Sequence, residues 1–155
     1  MTITVEISRK EIEKLDLSPV VKLVEGKEAK SLEQQICFNI NYPREATDPR
    51  ELSEIPEIRL WFIALDSHYP WFPFYLNWRE GELARYAAML VPHQFSRTEG
   101  IQYNPEALDI WIMQKIFTLH RWLTSQNLKS HSRLKAMAQI FGYELDEDFF
   151  RLLPY

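Results

Sequence analysis

Four histidines, one cysteine and a scattered set of carboxylates are the residues with which this sequence could do proton-transfer or covalent chemistry. His68, His93, His120 and His131 never fall two, three or four positions apart, and no H-E-x-x-H, C-x-x-C or acidic calcium loop occurs. His93 is the one histidine in strongly polar surroundings, in a stretch that also holds Arg97 and Glu99. An imidazole there could exchange protons near neutral pH, with Glu99 or Glu82 completing an acid–base pair. The ordinary reading of the same residue is a loop histidine hydrogen-bonded to backbone. His120, spaced with Ile116, Phe117 and Leu123 on a helical pattern, reads as a satisfied interior or boundary group. Cys37 sits within the apolar alternation Ile36, Phe38, Ile40 and reads as an inert thiol, since reactivity requires an electropositive, partly exposed setting. A single cysteine excludes an internal disulfide and Cys-rich zinc or iron–sulfur sites. Four dispersed glycines build no phosphate loop, and there is no G-x-S-x-G elbow. These absences lead to the expectation of a protein without catalytic residues, metal or cofactor.

Binding is the remaining chemistry. Aromatic residues make up 14% of the chain, and six of them crowd the ten positions from Tyr69 to Trp78. Large rings chiefly build cores, but an edge strand there would leave Trp71 or Trp78 facing outward, where Trp, Tyr and Arg dominate protein–protein contacts. Charge is segregated as well. Lys115, Arg121, Lys129, Arg133 and Lys135 span 115–135 with no acid among them, a stretch that could face nucleic acid or an acidic protein. Glu45, Asp48, Glu51, Glu54 and Glu57 crowd 45–57. The overall formal charge of −4 argues against a protein devoted to phosphate neutralisation.

At 155 residues the chain is read as one domain spanning 1–155, without internal repeat, linker or an apolar run near the roughly 18 residues of a membrane span. The elements that must position these side chains follow from period and punctuation. Residues 2–7 alternate as a half-buried strand, and Ser8-Arg9-Lys10-Glu11 has capping-box spacing. Ser18-Pro19 starts a segment closed by Gly26, and 35–42 is a second strand. The run Ile58–Leu65 is continuously apolar between prolines and is expected as a buried central strand, with 69–78 extended or at a sheet edge. A helix over 79–91 ends at Pro92, and 92–104 reads as a polar loop. Asn104-Pro105-Glu106 opens a long helix to about Ser125, with Gln114, Thr118, Arg121 and Ser125 as its polar stripe. Further helices fit 132–141, closed by Gly142, and a final turn capped by Asp146. The expected fold class is α+β: a small mixed sheet of about three or four strands packed against the long helix of the C-terminal half and shorter helices.

Three stretches resemble the chlororespiratory reduction six family: Pro43-Arg44 with Asp48-Pro49-Arg50-Glu51-Leu52-Ser53-Glu54 through Phe62; Trp78-Arg79-Glu80-Gly81-Glu82 through Tyr86, continuing Met89 to Ser96; and Glu99-Gly100-Ile101-Gln102-Tyr103-Asn104 through Leu108. The likeness spans nearly the whole chain. It implies a non-enzymatic, chaperone-like assembly factor for the photosynthetic NAD(P)H dehydrogenase-like complex. The protein partner it implies is the immature NdhI iron–sulfur subunit, with no nucleic acid and no integral membrane segment. The family occurs in cyanobacteria and chloroplasts, and Met1–Ile7 lacks a transit-peptide composition, so the resemblance implies a cytoplasmic cyanobacterial member. No catalytic residue transfers from the family. The residues expected to grip the partner are Arg79, Arg85, His93, Gln94, Arg97 and Tyr103, joined by Trp71, since guanidinium groups around aromatic anchors are typical of specific interfaces.

Overall fold

Alternation sets the first strand in the computed structural model, which describes residues 2–154: Ile3–Ser8 (β1) turns Val5 and Ile7 inward and Thr4 and Glu6 outward. The Ser8 backbone N–H donates to the Glu11 carboxylate at 3.1 Å and opens α1 (Arg9–Glu13). α2 (Ser18–Val24) and a 3-10 turn at Ala29–Leu32 bring the chain back to β2 (Ile36–Asn41). The two strands pair in parallel from Ile3↔Ile36 to Ser8↔Asn41, an arrangement that requires such a crossover. The register puts Val5 beside Phe38 and Ile7 beside Ile40, so both strands bury one common face.

The apolar run 58–65 is a helix, not the expected strand. α3 spans Pro56–His68, with Pro56 in its first turn and Glu57 at the positive end of its dipole. Ile58, Trp61, Phe62 and Leu65 are buried at offsets of three, four and seven, whereas Leu60 and Ile63 remain about half exposed at 55% and 44%. Because the outward positions are apolar too, the helical period is hidden in the sequence.

Residues 69–78 also depart from the extended reading. Two 3-10 turns, Phe72–Tyr75 and Trp78–Glu80, fold the segment against β2, and only Leu76 forms a strand-like bridge, to Ile36. The core reading of its rings holds: Phe72, Phe74 and Tyr75 are buried. Phe38, Trp61, Phe62, Phe72 and Tyr86 pack together with centroids 5.0–6.1 Å apart.

α4 (Glu82–Leu90) follows Gly81, whose φ of +78° suits glycine. The expected polar loop 92–104 is a hairpin, β3 (His93–Ser96) and β4 (Gly100–Tyr103), paired antiparallel. α5 (Pro105–Ser125) begins where its capping signal puts it and ends at the expected Ser125, with the Asn104 side chain accepting from the Ala107 N–H at 3.0 Å. α6 (His131–Ile140) and α7 (Glu147–Arg151), the latter capped by Asp146, complete the chain. The class is α+β, as expected. The strands, however, form two separate pairs rather than one mixed sheet, because the segments expected to join them, 58–65 and 69–78, are helical.

A polar network around Lys115 penetrates this core. The Lys115 ammonium, 1% exposed, donates to Asp66 Oδ1 and Oδ2 at 2.6 and 2.7 Å and to the Pro70 carbonyl at 3.0 Å, while the Tyr86 hydroxyl donates to Asp66 Oδ1 at 2.8 Å. Burial pushes the lysine's pKa down, against the pull of Asp66. Removing one partner of such a pair strands the other's charge. Lys115→Met is therefore expected to lower unfolding free energy by about 3 kcal/mol in denaturant titration, and Lys115→Met with Asp66→Asn is expected to recover part of the loss.

Candidate partner-binding surface

Five of the seven residues expected at an interface gather on α4 and the β3–β4 hairpin. Antiparallel pairing matches His93 with Tyr103 and Phe95 with Ile101, and the period of two puts all four on one face of the ribbon. Gln94 and Gln102 occupy the other face, and Arg97 lies in the exposed turn.

Most of the polar heads in this group are engaged inside the protein. His93 Nδ1 faces the Val91 carbonyl at 2.9 Å and therefore donates to it; in the neutral ring Nε2 then accepts from the Ser53 hydroxyl, also at 2.9 Å. The Tyr103 hydroxyl donates to the Ala84 carbonyl at 2.7 Å, and burial pushes its pKa up to about 12. Arg85 Nη1 donates to the Phe38 carbonyl at 2.9 Å and meets Glu82 Oε1 at 3.3 Å. Neither carboxylate considered as a partner for His93 reaches it: Glu82 Oε2 accepts from the Phe38 N–H at 3.2 Å, and the Glu99 carboxylate accepts from the Gln102 side chain. His93 is thus a positioning group that ties β3 to the 3-10 turn Leu52–Glu54.

Gln94 and Arg97 are exposed and free to meet a partner. Trp71 and Arg79 lie apart from this face. Trp71 is half-buried, stacked on Trp122 at 5.5 Å with planes 5° apart, and Arg79 is exposed beside a different, polar hollow that includes Thr2, Lys30 and Gln35.

The hairpin contributes to a groove of about 270 Å³ lined by Leu52, Met89, Phe95 and Ile101, with Glu51 and Arg85 supplying charge. Phe95 is 45% exposed there. The sequence reading missed Phe95 and Ile101 as surface anchors; the signal was their alternation with His93 and Tyr103 on either side of Arg97–Gly100.

The other candidates resolve into structure. His120 is buried, its Nδ1 2.8 Å from the Ser130 hydroxyl, as its helical neighbours indicated. Cys37 is half-buried and desolvation raises its pKa, which disfavours the thiolate. The basic stretch 115–135 is not a uniform surface, since Lys115 is buried on Asp66, Arg133 pairs with Glu33 at 2.8 Å and Lys135 pairs with Glu147 at 2.5 Å. Among the described residues no group of three or more His, Cys, Asp or Glu side chains could hold a metal ion, and no helix is long and apolar enough to cross a membrane.

These features define a small α+β protein whose candidate site is a small, partly apolar groove beside a hairpin. No solved structure matches the chain. The family model for Chlororespiratory reduction 6 matches residues 7–152, and the chain belongs to that family. The stretches that carry the likeness converge on the groove, with Leu52 from one, Arg85, Met89 and Phe95 from the second and Ile101 from the third.

The raised Tyr103 pKa gives a testable sign. A phenol that keeps its proton longer in the folded than in the unfolded chain stabilises the fold below its unfolded pKa of about 10 and loses that contribution as pH rises toward about 12. Alkaline unfolding curves are expected to show stability falling through this window, with a smaller fall in Tyr103→Phe.

Proposed function

We propose that this protein is a non-enzymatic assembly factor that holds the immature NdhI subunit before it enters the photosynthetic NAD(P)H dehydrogenase-like complex. Family membership points to a role in assembly of that complex, and the near-complete match over 7–152 is the observation that carries the reading. The finer assignment, to NdhI, rests on the family likeness together with a surface suited to gripping polypeptide. On this reading the chain works as one domain in the cytoplasm of a cyanobacterial host. It carries no cofactor, and Gln94 and Arg97 touch the partner while His93 and Tyr103 hold the contacting hairpin in place and Arg85 braces α4 against β2.

The interior hydrogen bonds of His93 support binding over turnover, because an imidazole engaged at both nitrogens has neither free for a substrate. Ion pairing of Lys115, Arg133 and Lys135 likewise favours a protein partner over nucleic acid.

Deleting the gene in its host is expected to lower the level of assembled dehydrogenase complex on native gels while NdhI transcript is unchanged. Affinity purification of the tagged protein should recover NdhI. Normal complex levels in the deletion strain would overturn the assignment.

A further inference from the structure

We infer that the groove between β3, α4 and the Leu52–Glu54 turn docks an extended, basic segment of polypeptide that inserts one bulky apolar side chain beside Phe95. The inference rests on the assembly reading above and names the chemistry of the partner segment at that site.

Three observations converge on this occupant. The first is an open strand edge. The Asn104 N–H donates to the Pro92 carbonyl at 2.9 Å, and antiparallel alternation then makes Gln94↔Gln102 and Ser96↔Gly100 the hydrogen-bonded pairs. The backbone N–H and C=O groups of His93 and Phe95 consequently point out of the ribbon along β3, and among the described residues no third strand joins it. Such an edge is a template for one more strand. The second is size. At about 270 Å³ the groove falls below the roughly 300–1,000 Å³ of ordinary small-molecule sites, and its apolar walls Leu52, Met89, Phe95 and Ile101 suit a single side chain.

The third is charge. The His93–Ser53 bond holds the Leu52–Glu54 turn beside β3, so that Glu51 lines the groove and Glu54 sits in the same turn. They belong to the loop 44–57, where five carboxylates face two guanidinium groups. Both of those are committed within the loop: Arg44 donates to the Arg50 carbonyl, and Arg50 pairs with Asp48 at 2.8 Å. Arg85 in the groove wall is itself paired with Glu82 at 3.3 Å, so lysine or arginine in the partner segment complements the surplus, as electrostatic matching across an interface requires.

The test uses the full-length protein in its host, with a photoreactive phenylalanine analogue at position 95 and, as a control face, at position 110, where Ile110 is 70% exposed on α5. The expected result is a cross-link at 95, and none at 110, to an NdhI peptide that combines Lys or Arg with a bulky apolar residue. Reversing the edge charge with Glu51→Lys and Glu54→Lys, in a variant whose circular dichroism and thermal unfolding match the parent, is expected to cut that adduct about tenfold. An adduct at 95 with another subunit of the same complex would uphold the groove and overturn NdhI as partner. An adduct only at 110 would overturn the groove and leave the assembly role standing. Absence of any adduct with a subunit of the complex would overturn both. An undiminished adduct in the charge-reversed variant would overturn the basic character of the segment.

Discussion

The contact between Lys115 and Asp66 ties together three helices of the chain. Lys115 belongs to α5, Asp66 and the Pro70 carbonyl to α3 and the segment after it, and the Tyr86 hydroxyl to α4. An ammonium group this deeply buried is tolerated only where carboxylate and carbonyl oxygens take the place of water. The three helices must therefore meet in one arrangement, since sliding any of them by a turn leaves a charge or a phenol without its partner. The aromatic core packs around this point, with Tyr86 at once a network member and a ring in contact with Phe62 and Phe72.

The fixed position of α4 in turn sets the surface. The hairpin is held to it at two places, through Tyr103 to the Ala84 carbonyl and through His93 to Val91 and Ser53. A two-stranded ribbon by itself is marginal in water, so these side-chain bonds are what keep β3 and β4 in place. The polar groups that look most chemically capable in this region are spent on positioning. Among the described residues, what remains outward includes a phenylalanine, a glutamine, an arginine and an unpaired strand edge, a set suited to contact with another chain.

Much of the fold was legible where local chemistry is self-sufficient. Asn104 and Pro105 mark the start of α5, Ser8 and Glu11 the start of α1, and the alternations in β1 and β2 are clear, because caps and two-residue periods depend on near neighbours. The run 58–65 misled for a physical reason. Leu60 and Ile63 face outward although they are apolar, so the burial pattern of Ile58, Trp61, Phe62 and Leu65 is masked. On α5 the inversion goes further, since Ile110 and Phe117 are exposed while Lys115 and His120 are buried. The histidine's neighbours along the helix already marked it as interior, whereas only a partner distant in sequence, Asp66, accounts for the buried lysine.

From the amino-acid order alone came the α+β class, the boundaries of the long helix, the absence of recognisable catalytic and metal motifs, and the family likeness, all of which rest on composition or on residues close along the chain. The tertiary structure decided which polar groups are spent internally and which are left to meet a partner. His93 could be a base or a strut, and Arg85 a contact or a brace, until Ser53, Val91 and the Phe38 carbonyl stood beside them. Ser53 lies 40 positions from His93 and Phe38 47 from Arg85, so these bonds form only once the chain has closed on itself, and that closure, rather than residue type, assigns the roles.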